Sequence, residues 1–255
     1  MHWVLMCTGG KSRKITEAIN SALYQTIPDV SVIVIDDSGD PNFKLELEST
    51  RIEIKKNLKN VGYTRSLNIG LNYLHAISKL SPVKTISILD DDDIWIDNSK
   101  IEKQYRFLNQ NPEFYLVGTR CSVVNKKNNI ISEGVRSFSG IVDKKEILKS
   151  NPIVHSSVMY RAERIFAESI RYDEAFIRTQ DWAMWLDLVV NKGKTIKVLP
   201  DITVSYLYDD SFRAKLKKKK HDFKSAHFLN ERYPGLSVPT GLKSYFVSRL
   251  EFLRN

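Results

Sequence analysis

Thr85-Ile86-Ser87-Ile88-Leu89-Asp90-Asp91-Asp92-Asp93-Ile94-Trp95 is the stretch on which the reading of this chain turns. A short apolar run rich in β-branched residues ends abruptly in four carboxylates. Adjacent like charges repel, so such a run is a poor choice for stability alone. The helix expected to start near Asn98 needs one acidic cap, not four. A continuous apolar run is how a strand buried on both faces reads, and parallel α/β sheets bind ligands at the carboxyl ends of their strands. Hard oxygen donors at that place suit Mg²⁺ or Mn²⁺, which bridge the phosphates of a nucleotide.

The segments before it repeat the pattern. Val4 to Cys7 reads as a strand, and Ile15, Ala18, Ile19, Ala22 and Leu23 recur at helical spacing. Ser31 to Ile35 is a second buried strand, Arg51 to Lys55 a third, and Leu67, Leu71, Leu74 and Ile77 mark a second helix. This β-α-β-α-β rhythm predicts a mostly parallel, Rossmann-like sheet flanked by helices. After Trp95 the pattern loosens. Phe114 to Val124 reads as a strand or hairpin arm, with a polar turn at 125–129 leading into Ile130-Ile131. Ser156 to Tyr160 is strand-like, and Trp182 to Val190 is a helix that stops before Gly193. Ile196 to Leu199 and Thr203 to Leu207 read as two short strands, and from about Asp209 a lysine-rich helix begins. Tyr233-Pro234-Gly235 breaks it before a last amphipathic helix. The expected organisation is an α/β domain over 1–208, in halves 1–95 and 96–208, and a basic helical extension over 209–255.

Length and charge agree with that division. The chain has 255 residues and a net charge of +9. Residues 1–210 carry 28 basic and 27 acidic side chains, whereas residues 211–232 carry eight basic and two acidic. The excess charge therefore belongs to the C-terminal extension, and a nucleic-acid-binding domain would spread it over its main face. With 42% hydrophobic residues the composition excludes a disordered chain. Two cysteines, Cys7 and Cys121, cannot build a disulfide framework and are expected as buried free thiols in a reducing compartment. The start lacks the pattern of a signal peptide, and no apolar run reaches the roughly 18 residues of a membrane span. The expected location is cytoplasmic.

Three further stretches carry candidate chemistry. Ile35-Asp36-Asp37-Ser38-Gly39-Asp40 follows a buried strand, where a carboxylate can accept hydrogen bonds from a base or ribose; an Asx turn is the plainer alternative. Asn60 to Gly70 contains Gly62 for a turn and Arg65 on the first turn of the following helix, a natural pyrophosphate contact. Thr179-Gln180-Asp181-Trp182 opens a helix, so Asp181 is either a general base or a cap. Gly9-Gly10-Lys11-Ser12 ends like a P-loop, but the earlier glycine which that motif needs is Leu5 here.

Together these residues resemble the GT-A glycosyltransferases of the inverting family 2, in matching order over about residues 3–208. The pieces are Ser21 to Thr26, Val34 to Ser38, Asn60 to Leu71, Leu89 to Trp95 with its DxD, His155 to Arg161, and Gln180-Asp181-Trp182. Cys7-Thr8-Gly9-Gly10 stands where the family has Pro-Thr-Tyr-Asn, and Gln180 replaces the usual Glu. The resemblance implies a hexosyltransferase that uses a nucleoside-diphosphate sugar, a UDP-sugar, with Mn²⁺ or Mg²⁺. It puts Thr8 and Asp37 at the nucleoside, Asp37 at its base, and Arg65 at the diphosphate. Asp90 and Asp92 would form the DxD, Asp92 as the metal ligand and Asp90 nearer the ribose, with Asp91 between them in the donor site. Asp181 would deprotonate the acceptor hydroxyl. His155 would lie beside the site or else be a satisfied core histidine, and Trp95 and Trp182 would be sugar-facing walls or core.

The resemblance also implies a glycan or lipid-linked acceptor and a role in polysaccharide synthesis, with no nucleic-acid partner. The alternatives are a sugar nucleotidyltransferase and a non-enzymatic nucleic-acid-binding protein. Arg213, Lys215, Lys217 to Lys220 and Lys224 alternate with Phe212, Leu216, Phe223, Phe228 and Leu229. A helix over 211–232 with that pattern would dock peripherally on an anionic membrane or pack on the domain. The oligomeric state is left open.

Overall fold

The computed structural model describes residues 1–125, 127–133, 138–208, 227–233 and 236. Its first half follows from residue alternation. β1 (His2–Thr8) and β2 (Val30–Asp36) are buried along nearly their whole length. Trp3, Leu5 and Cys7 join one apolar cluster with Leu67, Leu71 and Leu74 of α2 (Tyr63–Ser78). Val4 and Met6 join a second cluster with Ile15, Ala18, Ile19 and Ala22 of α1 (Ile15–Leu23). A strand with a helix on each face must be apolar at both parities, which is why these runs read as continuous. α2 lies so close to β1 that a Cβ at Gly70 would run into Leu5. β3 (Ile52–Lys56) and β4 (Thr85–Ile88) complete a parallel set in the order β3-β2-β1-β4, whose carboxyl ends share one edge.

The second half contains β5 (Ile94–Trp95), α3 (Lys100–Gln110), β6 (Phe114–Val124), β7 (Ile130–Glu133), β8 (Gly140–Ile141) and α4 (Lys144–Lys149). β9 (Met159–Arg161), α5 (Ala162–Ala167), α6 (Gln180–Leu186) and β10 (Thr195–Leu207) follow. The sheet continues β4-β9-β6-β10-β5, with β7 on β6 and β8 on β10. β9 is antiparallel to both neighbours, whereas β10 is parallel to β6. The sheet is thus parallel in its first half and mixed in its second.

Two segments differ from the sequence reading. The stretch expected as a strand over 156–160 begins as a 3-10 turn, His155–Ser157, and only then enters β9. The Ser157 hydroxyl donates to Val154 O at 2.7 Å, and such a local bond competes with strand pairing. The two strands expected over 196–207 are one, β10, with register shifts on either side of Ile202, just after Pro200, which has no N–H to give the ladder.

Cys7 and Cys121 are free and buried, as expected. Residues 227–232 are helical, and Leu229, Tyr233 and Leu236 are buried in the first cluster. The Tyr233 hydroxyl donates to Ala183 O of α6 at 3.3 Å, and Arg232 pairs with Asp173. The described part of the C-terminal extension therefore packs on the α/β domain. The lysine-rich stretch 211–226 and the last expected helix lie outside the described residues. No described helix is long and apolar enough to cross a membrane.

Candidate active site

The parallel edge brings Thr8, Asp37 and the Asp90–Asp93 run together. The Thr8 hydroxyl donates to Asp91 Oδ2 at 2.5 Å and accepts from Gly10 N at 3.1 Å. Asp90 Oδ1 accepts from the Tyr63 hydroxyl and lies 3.3 Å from His155 Nδ1. Asp93 is separate in role. It is 1% exposed, with Oδ2 taken by the Ser156 hydroxyl at 2.5 Å and Oδ1 by Leu207 N at 2.8 Å. It clamps the end of β10 to the 155–157 turn. Among the described residues the Asp92 carboxylate takes a hydrogen bond only from its own backbone, with the Lys14 charge acting on it.

The four carboxyls are not alike. Burial alone would raise Asp90, but His155 and the bonds from His155, Tyr63 and Ser156 outweigh it and hold this carboxyl below its ordinary value. Burial first, then Asp90, push Asp91 up to about 6, against the Thr8 bond that pulls it down. Burial, Asp90 and Asp91 push Asp92 up to about 7. Asp93 is raised well above its ordinary value, chiefly by burial. The cluster thus holds one charge easily and further charges with difficulty, in the absence of a cation.

Asp37 is 4% exposed, and the chain itself uses its carboxylate. Oδ1 accepts from Asn57 Nδ2 at 2.9 Å and Val61 N at 2.8 Å, and Oδ2 accepts from Gly62 N at 2.9 Å. Asp37 therefore ties the end of β2 to the start of α2. The Asx turn given as the alternative for this stretch is made by Asp36, whose Oδ1 accepts from Ser38 N at 2.9 Å. Gly62 caps α2 with φ of 95°, no side chain caps that end, and its first turn has no acidic residue. The Asp37 carboxylate, bonded to Val61 N and Gly62 N, is the negative group at the positive end of this helix. Arg65 on that turn is exposed and unpaired among the described residues.

His155 meets both readings given to it. It is buried and satisfied, with Nε2 3.0 Å from the Tyr172 hydroxyl, yet Nδ1 touches Asp90. Asp181 lies in the first turn of α6 and makes no cap; Thr179 is the cap residue, with φ of 60° and no side-chain cap bond. Asp181 Oδ2 accepts from Asn151 Nδ2 at 2.7 Å. Tyr172 is pushed well up, mainly by burial and by Tyr160, with smaller contributions from Asp181 and Asp90. Trp95 is core, 4% exposed with Nε1 donating to Ser156 O at 2.8 Å, so it is no sugar-facing wall. Trp182 is half-buried and donates to Ile147 O at 2.8 Å.

Sequence reasoning missed Tyr63, Asn57, Asn151 and Tyr172. Tyr63 could have been found as the first helical residue after Gly62. Nothing local marks the other three, whose bonds to Asp37, Asp181 and His155 span 20, 30 and 17 residues.

This arrangement is the GT-A fold, and the class it defines is the glycosyltransferases. The family described as Glycosyl transferase family 2 matches residues 3–165, and the chain belongs to that family. It is 27% identical over 251 residues to an uncharacterised glycosyltransferase of Methanocaldococcus jannaschii, covering 90% of this chain and 82% of that one. It is 26% identical over 189 residues to the UDP-Glc:alpha-D-GlcNAc-diphosphoundecaprenol beta-1,3-glucosyltransferase WfgD of Escherichia coli, covering 73% of this chain and 68% of that one. Its fold matches S. aureus TarS 1-349 in complex with UDP-GlcNAc with a TM-score of 0.62 at 15% identity, over 94% of this chain and 68% of that one. The protein is a glycosyltransferase, which sets aside the nucleotidyltransferase alternative.

Proposed function

We propose that the chain is an inverting, metal-dependent glycosyltransferase that moves a sugar from a UDP-sugar to a hydroxyl of a glycan or lipid-linked acceptor in polysaccharide synthesis. The observation that carries this reading is the Asp92 carboxylate, crowded by Asp90 and Asp91 and raised by burial and by these two carboxylates at the edge of the parallel strands. The TarS complex with UDP-GlcNAc supports a UDP-sugar donor, and the name of the E. coli relative supports a diphospholipid-linked acceptor.

The residues fit Mn²⁺ or Mg²⁺. Among the described residues no three His, Cys, Asp or Glu side chains form a ready metal cluster. That suits a hard cation held by one or two carboxylates and completed by substrate phosphates. Asp92 would be the direct ligand, with Asp90 and Asp91 beside it. When bound, the cation supplies positive charge against the leaving diphosphate. Arg65 would add positive charge on the same side. Thr8 would keep Asp91 in place, and Asp37 would hold the loop that contacts the nucleoside. Asp181 would accept the acceptor's proton as its oxygen attacks the anomeric carbon, since a sugar hydroxyl is a poor nucleophile at neutral pH. One displacement inverts that centre.

In this reading residues 1–208 form the catalytic unit, and the basic stretch 211–226 would draw it peripherally to the anionic cytoplasmic face where a lipid-linked acceptor sits. A thermal-shift series with UDP-glucose and UDP-GlcNAc, with and without Mn²⁺, tests the donor and metal together. A rise in melting temperature that needs both sugar nucleotide and Mn²⁺ is expected. No rise with either nucleotide overturns the reading.

A further inference from the structure

We propose that Asn151 is a positioning residue for Asp181, and that the segment 151–155 sets the place of this base relative to the donor-side carboxylate Asp90. The inference rests on the reading of Asp181 as the base given above.

A carboxylate in the first turn of a short helix turns easily about its last side-chain torsion, whose preferences are broad. One directed hydrogen bond from a fixed donor removes that freedom. Asn151 Nδ2 donates to Asp181 Oδ2 at 2.7 Å, and among the described residues Oδ1 accepts no hydrogen bond. The latter oxygen is the one left for an acceptor hydroxyl. The amide is itself held. Its Oδ1 accepts from Ile153 N at 3.2 Å, so the nitrogen end must face Asp181.

The same segment reaches the donor side. Pro152, which restricts the backbone, follows Asn151, and three residues later His155 Nδ1 lies 3.3 Å from Asp90 Oδ1. The other ring nitrogen of His155 is held by the Tyr172 hydroxyl at 3.0 Å. Four residue steps can span at most about 14 Å, so both carboxylates hang on one short, stiff piece of chain. α6 is tied to the same region a second time, where Trp182 Nε1 donates to Ile147 O of α4 at 2.8 Å. Transfer needs the attacking oxygen and the anomeric carbon at near-contact distance, and a displacement of about 1 Å can cost about 100-fold in rate. A spacer between base and donor site meets that need.

The test uses Asn151→Ala, Asn151→Asp and Asp181→Asn in the full chain, with hydrolysis of UDP-glucose and UDP-GlcNAc in Mn²⁺ as the readout, water taking the acceptor's place, the sugar passing to it and UDP leaving. Asn151→Asp keeps an acceptor for Ile153 N but cannot donate to Asp181. We expect kcat to fall about 10–100-fold in both Asn151 variants with the donor KM unchanged. Asn151→Asp also sets a like charge against Asp181, so Asn151→Ala carries the decision: if Asn151→Ala keeps the wild-type rate, the proposal falls. Equal loss in kcat and donor binding also overturns it. If Asp181→Asn is inactive while both Asn151 variants are fully active, the base stands and only the positioning role is lost. Full activity of Asp181→Asn, or no UDP release by the wild-type chain from either nucleotide, removes the underlying reading and this one with it.

Discussion

Between β1 and β4 the candidate donor residues stand where parallel strands end, whereas beyond Trp95 His155 and the candidate base Asp181 hang on short turns. Thr8 closes β1, Asp37 follows β2, and Asp90 lies two residues past β4. His155 sits in a 3-10 turn and Asp181 in the first turn of a seven-residue helix, each placed by hydrogen bonds to distant residues. On the donor side the backbone ladder places the chemistry, and one local pattern serves for every strand. On the acceptor side individual side chains place it. Loss of one such contact should therefore disturb one function and leave the other.

The largest expected effect tests that separation directly. Asp181→Asn should lower sugar transfer about 1000-fold, within the usual range for loss of a general base, while leaving the Mn²⁺-dependent stabilisation by UDP unchanged. A matching loss of UDP binding in a thermal-shift titration would show the two halves to be one coupled site. Next in size, Asp92→Asn should weaken Mn²⁺-dependent UDP binding on the order of 100-fold, because several kcal/mol of charge stabilisation disappear. Calorimetry without Mn²⁺ should show little difference between the variant and the wild-type chain.

The smallest effect is on stability against pH, and it belongs to the donor side. Asp91 and Asp92, raised to about 6 and about 7 in the folded chain, keep protons that the unfolded chain has already lost. The folded state then binds more protons than the unfolded one between about pH 4 and 7, so stability falls as pH rises through that window. Without cation, the wild-type chain should melt lower at pH 8 than at pH 5. Asp92→Asn should flatten that slope by roughly 2–4 °C, and added Mn²⁺ should do the same. A wild-type melting temperature that is equal at both pH values would remove the case for crowded, uncompensated carboxylates.

How far each half could be read in advance follows the same division. Continuous apolar runs at Val4 to Cys7, Ser31 to Ile35 and Thr85 to Leu89 announced strands covered on both faces, and β1, β2 and β4 are those strands. Asp90 to Asp92 were legible because four adjacent carboxylates have no ordinary structural use. The split of roles among them was not, since Asp93 is distinguished from Asp92 only by Ser156 and Leu207 arriving from elsewhere in the chain. Trp95 shows the same limit. Its ring suits a sugar or a core equally, and the Ser156 carbonyl opposite its Nε1 decides for the core.

By itself, then, the sequence determined the α/β rhythm, the parallel edge, the acidic cluster at its end and the concentration of positive charge after residue 210. Those are properties of neighbouring residues: periodicity, strand termini and charge density. Only the tertiary structure decided that β9 enters antiparallel between β4 and β6, that Leu229 and Tyr233 bring 227–233 back onto α6, and that Asn151 faces Asp181. Each of these joins groups far apart along the chain, where no local propensity acts and only burial and the pairing of polar atoms choose the partner.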